Sequence, residues 1–366
     1  MTWKVVDLFA GAGGSSSGLV EAGFELLLAA NHSHVCMLTH AANHPNAEHL
    51  CVDINNYDMR RLPKADVLWA SPICTEISPA GGRRRIPKGQ QALLEFGPID
   101  KGTFDRTRAT AFDVIRYLEV HRPLAAIIEN VVEFVTDWEM FDWWFDGLRR
   151  LGYNPQISSA SSAHLGGEDN APAPQWRDRV YIVCTLKGIP VPDVRPNPLA
   201  LCTECGEDVH AVQSWRNGKT VGKYRVQYDY RCPNERCGHA LVEPYVRPAR
   251  DIIDWSNLGP KIGERKKPLA ERTMEKVRKG REMYPHEATA ITLTHGDHEG
   301  RVFPVSAQPL PTRTSKVGEG LLVPVGGSWN DTASPVGVPM RTRTTRESEA
   351  LVTMPFIVEL RGRYVT

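Results

Sequence analysis

Cys74 is the residue of this sequence that is placed to act as a nucleophile. It ends the segment DVLWASPIC (66–74), in which an apolar run leads into a loop. In open α/β sheets ligands bind at the carboxyl edge of the strands, so a cysteine at that edge can reach a substrate. The thiolate is the reactive form of such a side chain. The scattered cysteines Cys36, Cys51 and Cys184 are instead expected to be small apolar residues.

Two later segments supply a carboxyl group and guanidinium groups near strand ends. The run LAAII (124–128) leads into Glu129 and Asn130, and the segment QWRDR (175–179) places Arg177 and Arg179 before another apolar run. Alone, a glutamate after a strand is commonly a solvated charge, and neighbouring arginines commonly form surface salt bridges. Together with Cys74, and in this order after a glycine-rich turn, they form a set specific enough to indicate one site.

The glycine-rich turn lies near the start of the chain, in VVDLFAGAGG (5–14). A strand, a tight glycine turn and a helix N-terminus allow a nucleotide-like ligand to approach the backbone closely. A turn of this kind also uses glycine for packing alone, and both interpretations remain open here. The acidic ribose ligand that usually follows the second strand is replaced by Asn31, while Asp53 follows the next apolar run. A lone aspartate at such a place is otherwise most often a helix cap.

Four further cysteines form two close pairs. Cys202 and Cys205 are separated by two residues, and Cys232 and Cys237 by four. Two pairs in a reducing compartment favour a tetrahedral zinc site with four thiolate ligands over free thiols. His210 or His239 could replace one thiolate ligand, because the second spacing is longer than usual.

The elements that must position these residues follow from the apolar pattern. Short apolar runs alternate with helix-like segments over the first 185 residues, which predicts an α/β domain with a Rossmann-like, mostly parallel sheet. We predict strands at 4–9, 25–30, 66–70, 124–129 and 179–184, and helices at 15–22, 34–42, 107–121, 138–151 and 269–283.

A change in amino-acid composition predicts a second, smaller domain. The segment KGIPVPDVRPNP (187–198) is rich in proline, so we place a catalytic domain at 1–188 and a second domain at 189–366. This second domain would contain a zinc ribbon at about 200–240. It would also contain a duplicated unit at about 290–355, because PLPTRTSK (309–316) resembles PMRTRTTR (339–346).

Composition sets limits on location and partners. Charged residues make up 24% and hydrophobic residues 41% of the chain, and no apolar stretch is long enough to span a membrane. No secretory signal is recognisable at the start. We therefore expect a cytoplasmic protein. A net charge of +1 means that a nucleic acid would be met by local basic patches.

At this point the sequence resembles the cytosine-5 DNA methyltransferases. The match covers DLFAGAGG, the VDI aspartate, the SPIC loop, ENV, QxRxR and a downstream PxxTxT segment. The resemblance implies an enzyme that uses S-adenosylmethionine and acts on double-stranded DNA, with a restriction-modification or phage role. Phe9 would stack on the adenine, Gly11 and Gly13 would leave room for the methionine part, and Asp53 would bind the adenine amino group. The implied cofactor residues are Asp7, Phe9, Gly11, Gly13, Gly14, Asn31, His32, Asp53 and Ile54.

The resemblance also implies a covalent mechanism on a flipped cytosine. Position 5 of cytosine is too poor a nucleophile to attack a sulfonium methyl group, so Cys74 would first add to position 6. Glu129 would act as an acid at N3, and Arg179 would orient the base and that carboxyl group. Asn130 and Pro72 would shape the cysteine loop.

Further roles follow by position. Arg177 would join the catalytic set through QxRxR, and the basic segment after Cys74, with Arg83 and Lys88, would form a lid over the DNA backbone. The region between QxRxR and PxxTxT would read the target sequence. There Lys219, Lys223, Arg225, Tyr228 and Tyr230 would contact phosphates and stack on bases.

Three departures from the family pattern leave alternatives open. Ile73 replaces a proline before the nucleophile, Asn31 replaces the ribose acid, and a closing GNAV-type segment is not found. We therefore expect a truncated or split enzyme whose closing helix comes from a second polypeptide. A catalytically silent zinc-ribbon DNA-binding protein, an RNA cytosine methyltransferase and a homologue that uses a modified S-adenosylmethionine are the alternatives. A dehydrogenase is disfavoured, because the cysteine and ENV set has no role in one.

Overall fold

The chain forms two compact units in a computed structural model. The structure describes residues 2–73, 101–166, 171–256, 268–283, 288–292, 302–310, 319–324 and 349–353. Cys74 and the predicted basic lid lie outside the described residues. The first unit comprises Met1–Ser161 and Asp178–Tyr245, and the second comprises Ser162–Arg177 and Val246–Thr366.

A seven-stranded sheet forms the centre of the first unit. Its strands follow the order β3-β2-β1-β4-β5-β7-β6. β7 runs antiparallel to both β5 and β6, and the remaining pairs are parallel. The strands are β1 Lys4–Leu8, β2 Glu25–Asn31, β3 Glu48–Cys51, β4 Val67–Ala70, β5 Ala125–Asn130, β6 Tyr153–Ser161 and β7 Asp178–Leu186. The predicted α/β class with a mostly parallel sheet is confirmed.

Five helices pack with this sheet. They are α1 Gly14–Glu21, α2 His34–Asn43, α3 Lys101–His121, α4 Glu133–Thr136 and α5 Phe141–Arg150. The core is built from fully buried strand residues such as Val6, Leu68 and Ile128, together with Trp144 of α5. Burial of such side chains contributes about 1.5–3 kcal/mol each, which is why the parallel strands read as unbroken apolar runs.

The sequence pattern missed two strands of the sheet. β3 has four residues, and β6 (YNPQISSAS) is polar and contains Pro155. β6 lies at the edge of the sheet, where a proline and polar side chains are tolerated. The predicted helix at 138–151 begins instead at Phe141, and the one predicted at 107–121 begins at Lys101.

Residues 199–245 form what we name the four-cysteine module. It contains β8 Leu199–Cys202, β9 Glu207–His210, β10 Val212–Trp215, β11 Tyr228–Arg231 and β12 Leu241–Val242. β8 pairs with β9, and β10, β11 and β12 form a three-stranded sheet. The module belongs to the first compact unit. The boundaries between the two units therefore differ from the boundary predicted after residue 188.

Two predicted stacking residues are in the core of this module. Tyr228 and Tyr230 are fully buried, and their rings lie 5.6 Å apart in an edge-to-face arrangement. The prediction that they stack on nucleic-acid bases is wrong, because a side chain without exposed surface cannot meet a base. They supply apolar area to a segment that is too small for a larger core.

The second unit has a helix and a small antiparallel sheet. The elements are α6 Glu271–Met283, β13 Thr289–Thr292, β14 Val302–Pro304, β15 Glu319–Pro324 and β16 Glu349–Thr353, with strand order β14-β13-β15-β16. The first residues of β15 and β16 lie thirty positions apart, the offset of the sequence repeat, and these two strands pair with each other. Within the described part of the chain, none of the helices combines the length and apolar character needed to cross a bilayer.

Candidate active site

The glycine turn between β1 and α1 has an unusual backbone. Phe9 has φ 63 and Gly13 has φ 110, both in the left-handed region. A Cβ atom on Gly13 would lie 2.9 Å from the ring of His44, whereas one on Gly11 or Gly14 would meet nothing within 4 Å. Gly13 is therefore required by conformation and packing. Gly11 and Gly14 border open space where a ligand can approach the backbone.

A buried polar chain lies directly under this turn. Asp7 Oδ2 accepts hydrogen bonds from Ser15 Oγ at 2.6 Å and Ser16 Oγ at 2.7 Å. Ser16 Oγ also lies 2.9 Å from His40 Nε2, and His40 Nδ1 lies 2.9 Å from His49 Nε2. The histidines were missed in the sequence analysis. Their only sequence signal is the clustering of three histidines within residues 40–49.

Burial shifts the pKa values of Asp7 and His40 in the directions that favour the neutral form of each side chain. Loss of hydration raises the pKa of Asp7 to about 6, against the opposing effect of the two serine hydrogen bonds. Loss of hydration, together with the charges of His44 and His49, lowers the pKa of His40 to about 4. Between these two values a protonated Asp7 and a neutral His40 coexist in the folded protein.

These two shifts predict opposing pH effects on stability. The raised pKa of Asp7 contributes stability that is present below its ordinary pKa of 3.8 and is lost as the pH rises through about 6. The lowered pKa of His40 contributes stability that is present above its ordinary 6.5 and is lost as the pH falls through about 4. Each contribution is on the order of 3 kcal/mol. Because the two change with pH in opposite directions, the pH dependences of stability that they cause nearly cancel in the wild type.

Asp7→Asn should remove one side of this balance. We expect its free energy of unfolding, measured by urea titration, to rise steadily between about pH 4 and 6.5, the window set by His40. His40→Gln should show the opposite slope, because only Asp7 then titrates. Two variants with the flat profile of the wild type would contradict the assignment.

The predicted nucleotide-binding residues differ in their surroundings. Asn31 donates from Nδ2 to Ala10 O at 2.6 Å and accepts at Oδ1 from Ser33 N at 2.8 Å, so its side chain ties β2 to the glycine turn. Asp53 is exposed and caps a short helical turn by accepting from Asn55 N at 3.1 Å. Ile54 is 2% exposed and belongs to the core, whereas His32 is exposed.

The segment leading to Cys74 is anchored on both sides. Asn130 Nδ2 donates to Pro72 O at 3.1 Å, which joins the end of β5 to this loop. Ile73 N donates to Thr110 Oγ1 of α3 at 3.1 Å. Proline has no N–H, so this second bond can form only because position 73 is not proline. Ile73 thus allows this segment to be held by Thr110, a residue that the sequence analysis did not identify.

Glu129 and Arg179 form an ion pair at the sheet edge. Arg179 Nε lies 2.9 Å from Glu129 Oε1, and the two side chains are 11% and 17% exposed respectively. The reversed direction of β7 explains this meeting: Asn130, at the end of β5, pairs with Val180, near the start of β7. The first residues of β7, which include Arg179, therefore lie beside the last residues of β5, which include Glu129. Arg177 belongs to the second unit, where its carbonyl accepts from Ser162 N at 3.0 Å.

The four paired cysteines come together in the module. Their sulfur atoms all lie within 4.8 Å of one another, and Cys205 Sγ lies 3.8 Å from Cys232 Sγ. A tetrahedral metal with sulfur ligands at about 2.3 Å has sulfur atoms separated by about 3.8 Å. Asn234 Nδ2 also lies 3.5 Å from Cys205 Sγ, as a supporting donor. Among the described residues, the group that could hold a metal here comprises these four cysteines and includes neither His210 nor His239.

The comparisons with known proteins identify the family of this chain. The family model for C-5 cytosine-specific DNA methylases matches residues 3–204, more than half of the chain. This chain belongs to that family, as the resemblance predicted.

Individual relatives align over about half of this chain. The Type II methyltransferase M.FnuDI of Fusobacterium nucleatum is 36% identical over 200 residues, which cover 54% of this chain and 51% of the relative. M.NlaX of Neisseria lactamica is 27% identical over 214 residues, covering 57% and 60% respectively. The chain thus spans about half the length of the curated relatives it matches. Among solved structures, the Dnmt2 methyltransferase of S. pombe has a TM-score of 0.38 at 19% identity, covering 52% of this chain and 53% of that one.

Proposed function

We propose that this protein is a DNA (cytosine-5-)-methyltransferase that modifies a flipped cytosine in double-stranded DNA. The observation that carries the proposal is the Glu129–Arg179 pair, which lies next to Asn130, the residue that anchors the loop before Cys74. A carboxyl group and a guanidinium group at the end of β5, next to the segment that leads in sequence to the thiol of Cys74, can act together with that thiol on a pyrimidine ring. Family membership over residues 3–204 supports the same reaction.

The roles of the residues follow from the chemistry of the ring. Cys74 adds as a thiolate to position 6, which turns position 5 into a nucleophilic carbon. Glu129 holds a proton at N3, where negative charge would otherwise build up. Arg179 fixes the carboxyl group of Glu129 through its Nε atom. Once position 5 carries the methyl group, a base takes the proton from that carbon, the bond between carbon 6 and sulfur breaks, and the Cys74 thiolate leaves while N3 gives its proton back to Glu129.

The glycine turn fits S-adenosylmethionine as the methyl donor. The space beside Gly11 and Gly14 admits a ligand, and Phe9 lies at the end of β1, where it can meet an adenine ring. Asp53 has an exposed carboxylate for the adenine amino group. Asp7 is fully buried and would support the turn rather than touch the cofactor. The cofactor supplies an electrophilic methyl group to position 5.

The proposal is tested with the purified full chain and S-adenosylmethionine labelled in its methyl group. We expect the label in duplex DNA, with 5-methylcytosine identified by mass spectrometry and its sites mapped by bisulfite sequencing. Label in RNA only would favour the RNA methyltransferase, and duplex binding without transfer would favour a silent DNA-binding protein. A product heavier than 5-methylcytosine would indicate a modified cofactor. The expected second polypeptide finds no support in the relatives, and we do not include it in the proposal.

We also propose one zinc ion per chain, held by Cys202, Cys205, Cys232 and Cys237. Metal bound to a preformed thiolate set contributes folding free energy, so Cys237→Ser should lose the zinc and unfold the four-cysteine module. The exposed Cys51 provides the matched control, and Cys51→Ser should keep full metal content. Metal analysis by mass spectrometry checks both variants. A wild-type protein purified without chelators and free of zinc would contradict the site.

A further inference from the structure

The four-cysteine module is attached to the edge strand of the sheet. Gln213 Nε2 donates to Ser159 O at 2.7 Å, and Gly222 N donates to Ser159 Oγ at 3.3 Å. Ser159 belongs to β6, whose outer edge would otherwise present open backbone groups. The module therefore covers part of a sheet edge.

The next two residues of the same loop reach the neighbourhood of the catalytic pair. Lys223 Nζ lies 2.6 Å from Glu133 Oε1, and Tyr224 N donates to Asp178 Oδ1 at 3.1 Å. Asp178 directly precedes Arg179 in β7. Residues 222–224 thus contact both chain segments that bring the catalytic pair together.

Glu133 is the more buried member of its ion pair. Its side chain is 5% exposed, whereas that of Lys223 is 37% exposed. It begins α4, three residues after Asn130, the residue that anchors the cysteine loop. A carboxylate so deeply buried needs a cation close by, so loss of Lys223 would leave this charge unpaired and force the Glu133 side chain to move.

The loop that carries Lys223 has a restricted conformation. A Cβ atom on Gly222 would lie 2.3 Å from Gln227 Cβ, which is too close for two carbon atoms that are not bonded. Position 222 therefore has room only for glycine. Gln227 Oε1 in turn accepts a hydrogen bond from Lys223 N at 2.7 Å. The backbone of residues 222–224 is therefore held in place before Lys223 and Tyr224 make their contacts.

Several basic side chains of the module are already paired with carboxylates. Arg216 Nη2 lies 2.6 Å from Asp229 Oδ2, and Arg225 Nη2 lies 2.7 Å from Glu243 Oε1. Lys223 itself pairs with Glu133. Of the residues predicted to contact phosphates, Lys223 and Arg225 thus already have acidic partners. This arrangement suits a supporting element better than a DNA-reading surface.

We propose that Lys223 is a positioning residue for the Glu129–Arg179 pair, and that the four-cysteine module serves to hold this part of the active site. The inference rests on the proposed function, because it assigns that pair a catalytic role. Lys223 would fix the start of α4 through Glu133, while the backbone of Tyr224 would fix the start of β7 through Asp178. The module would then affect the rate of methyl transfer and not the affinity for DNA.

Lys223→Met tests this inference in the full-length protein. We expect kcat to fall between about tenfold and 100-fold, as for other small displacements of catalytic groups, with the Kd for duplex DNA changed less than about twofold. Lys223→Arg should restore most of the rate, because it keeps a cation at Glu133. Arg231→Met is the matched control. It removes a positive charge from the same module, where Arg231 donates to His239 O and not to residues 222–227, and should leave kcat unchanged.

Hydrogen exchange provides a second measurement that does not depend on activity. Lys223→Met should increase exchange in residues 129–136 and 178–182 but not in β1, which separates failure of this inference from failure of the proposed function. If Lys223→Met does not fold, Asp178→Ala should show the loss of kcat and Asp178→Asn, which keeps an acceptor for Tyr224 N, should not. Weaker DNA binding with unchanged kcat would overturn the inference, as would unchanged exchange.

Discussion

Cys74→Ser is expected to abolish methyl transfer, lowering the single-turnover rate on the order of 10^5-fold. A serine hydroxyl is not ionised at neutral pH and cannot replace the thiolate that adds to the cytosine ring. Binding of duplex DNA should persist, since phosphate contacts supply most of the affinity. The measurement is transfer of labelled methyl groups to DNA under saturating conditions.

A mechanism-based trap tests whether Cys74 is the nucleophile without relying on turnover. A duplex with 5-fluorocytosine at the target position should form a stable covalent complex with the wild type, because fluorine cannot leave as a proton does. Cys51→Ser removes an exposed thiol elsewhere and should trap as the wild type does. Equal trapping by Cys74→Ser would show that another residue is the nucleophile.

Glu129→Gln should have the second-largest effect, a loss of about 10^2-fold to 10^4-fold in the rate of methyl transfer. In the wild type, Arg179 Nε lies 2.9 Å from Glu129 Oε1. Glutamine fills the same volume and can still accept this hydrogen bond, but it has no acidic proton for N3 of the cytosine. DNA affinity should change little, so the loss should fall on kcat. A rate within threefold of the wild type would remove Glu129 from the catalytic set.

The parts of the fold that follow from local pattern were predictable. β1, β4 and β5 are buried apolar runs, and the turn after β1 needs Gly13 for its backbone conformation. β6 was not predictable, because an edge strand with alternate polar residues and a proline has no apolar signal.

In the candidate site, too, some features were predictable from the sequence and others were not. Types and spacing indicated Glu129, Arg179 and the four cysteines, but not that Asn130 would bond Pro72 or that Thr110 would bond the N–H of Ile73. The buried chain from Asp7 to His49 likewise joins residues that are far apart in sequence. Contacts of this kind depend on tertiary packing, which no short motif encodes.

The contacts of residues 222–224 limit how this protein can be recombined with its relatives. A chimaera that exchanged residues 199–245 as a cassette would separate Lys223 from Glu133 and Tyr224 from Asp178, unless all four positions came from one parent. Such hybrids should lose turnover even when they still bind duplex DNA with the affinity of the parent. Lys223 and Glu133 are therefore expected to be inherited as a pair, and family members without the cysteines should carry a different residue at the position of Glu133.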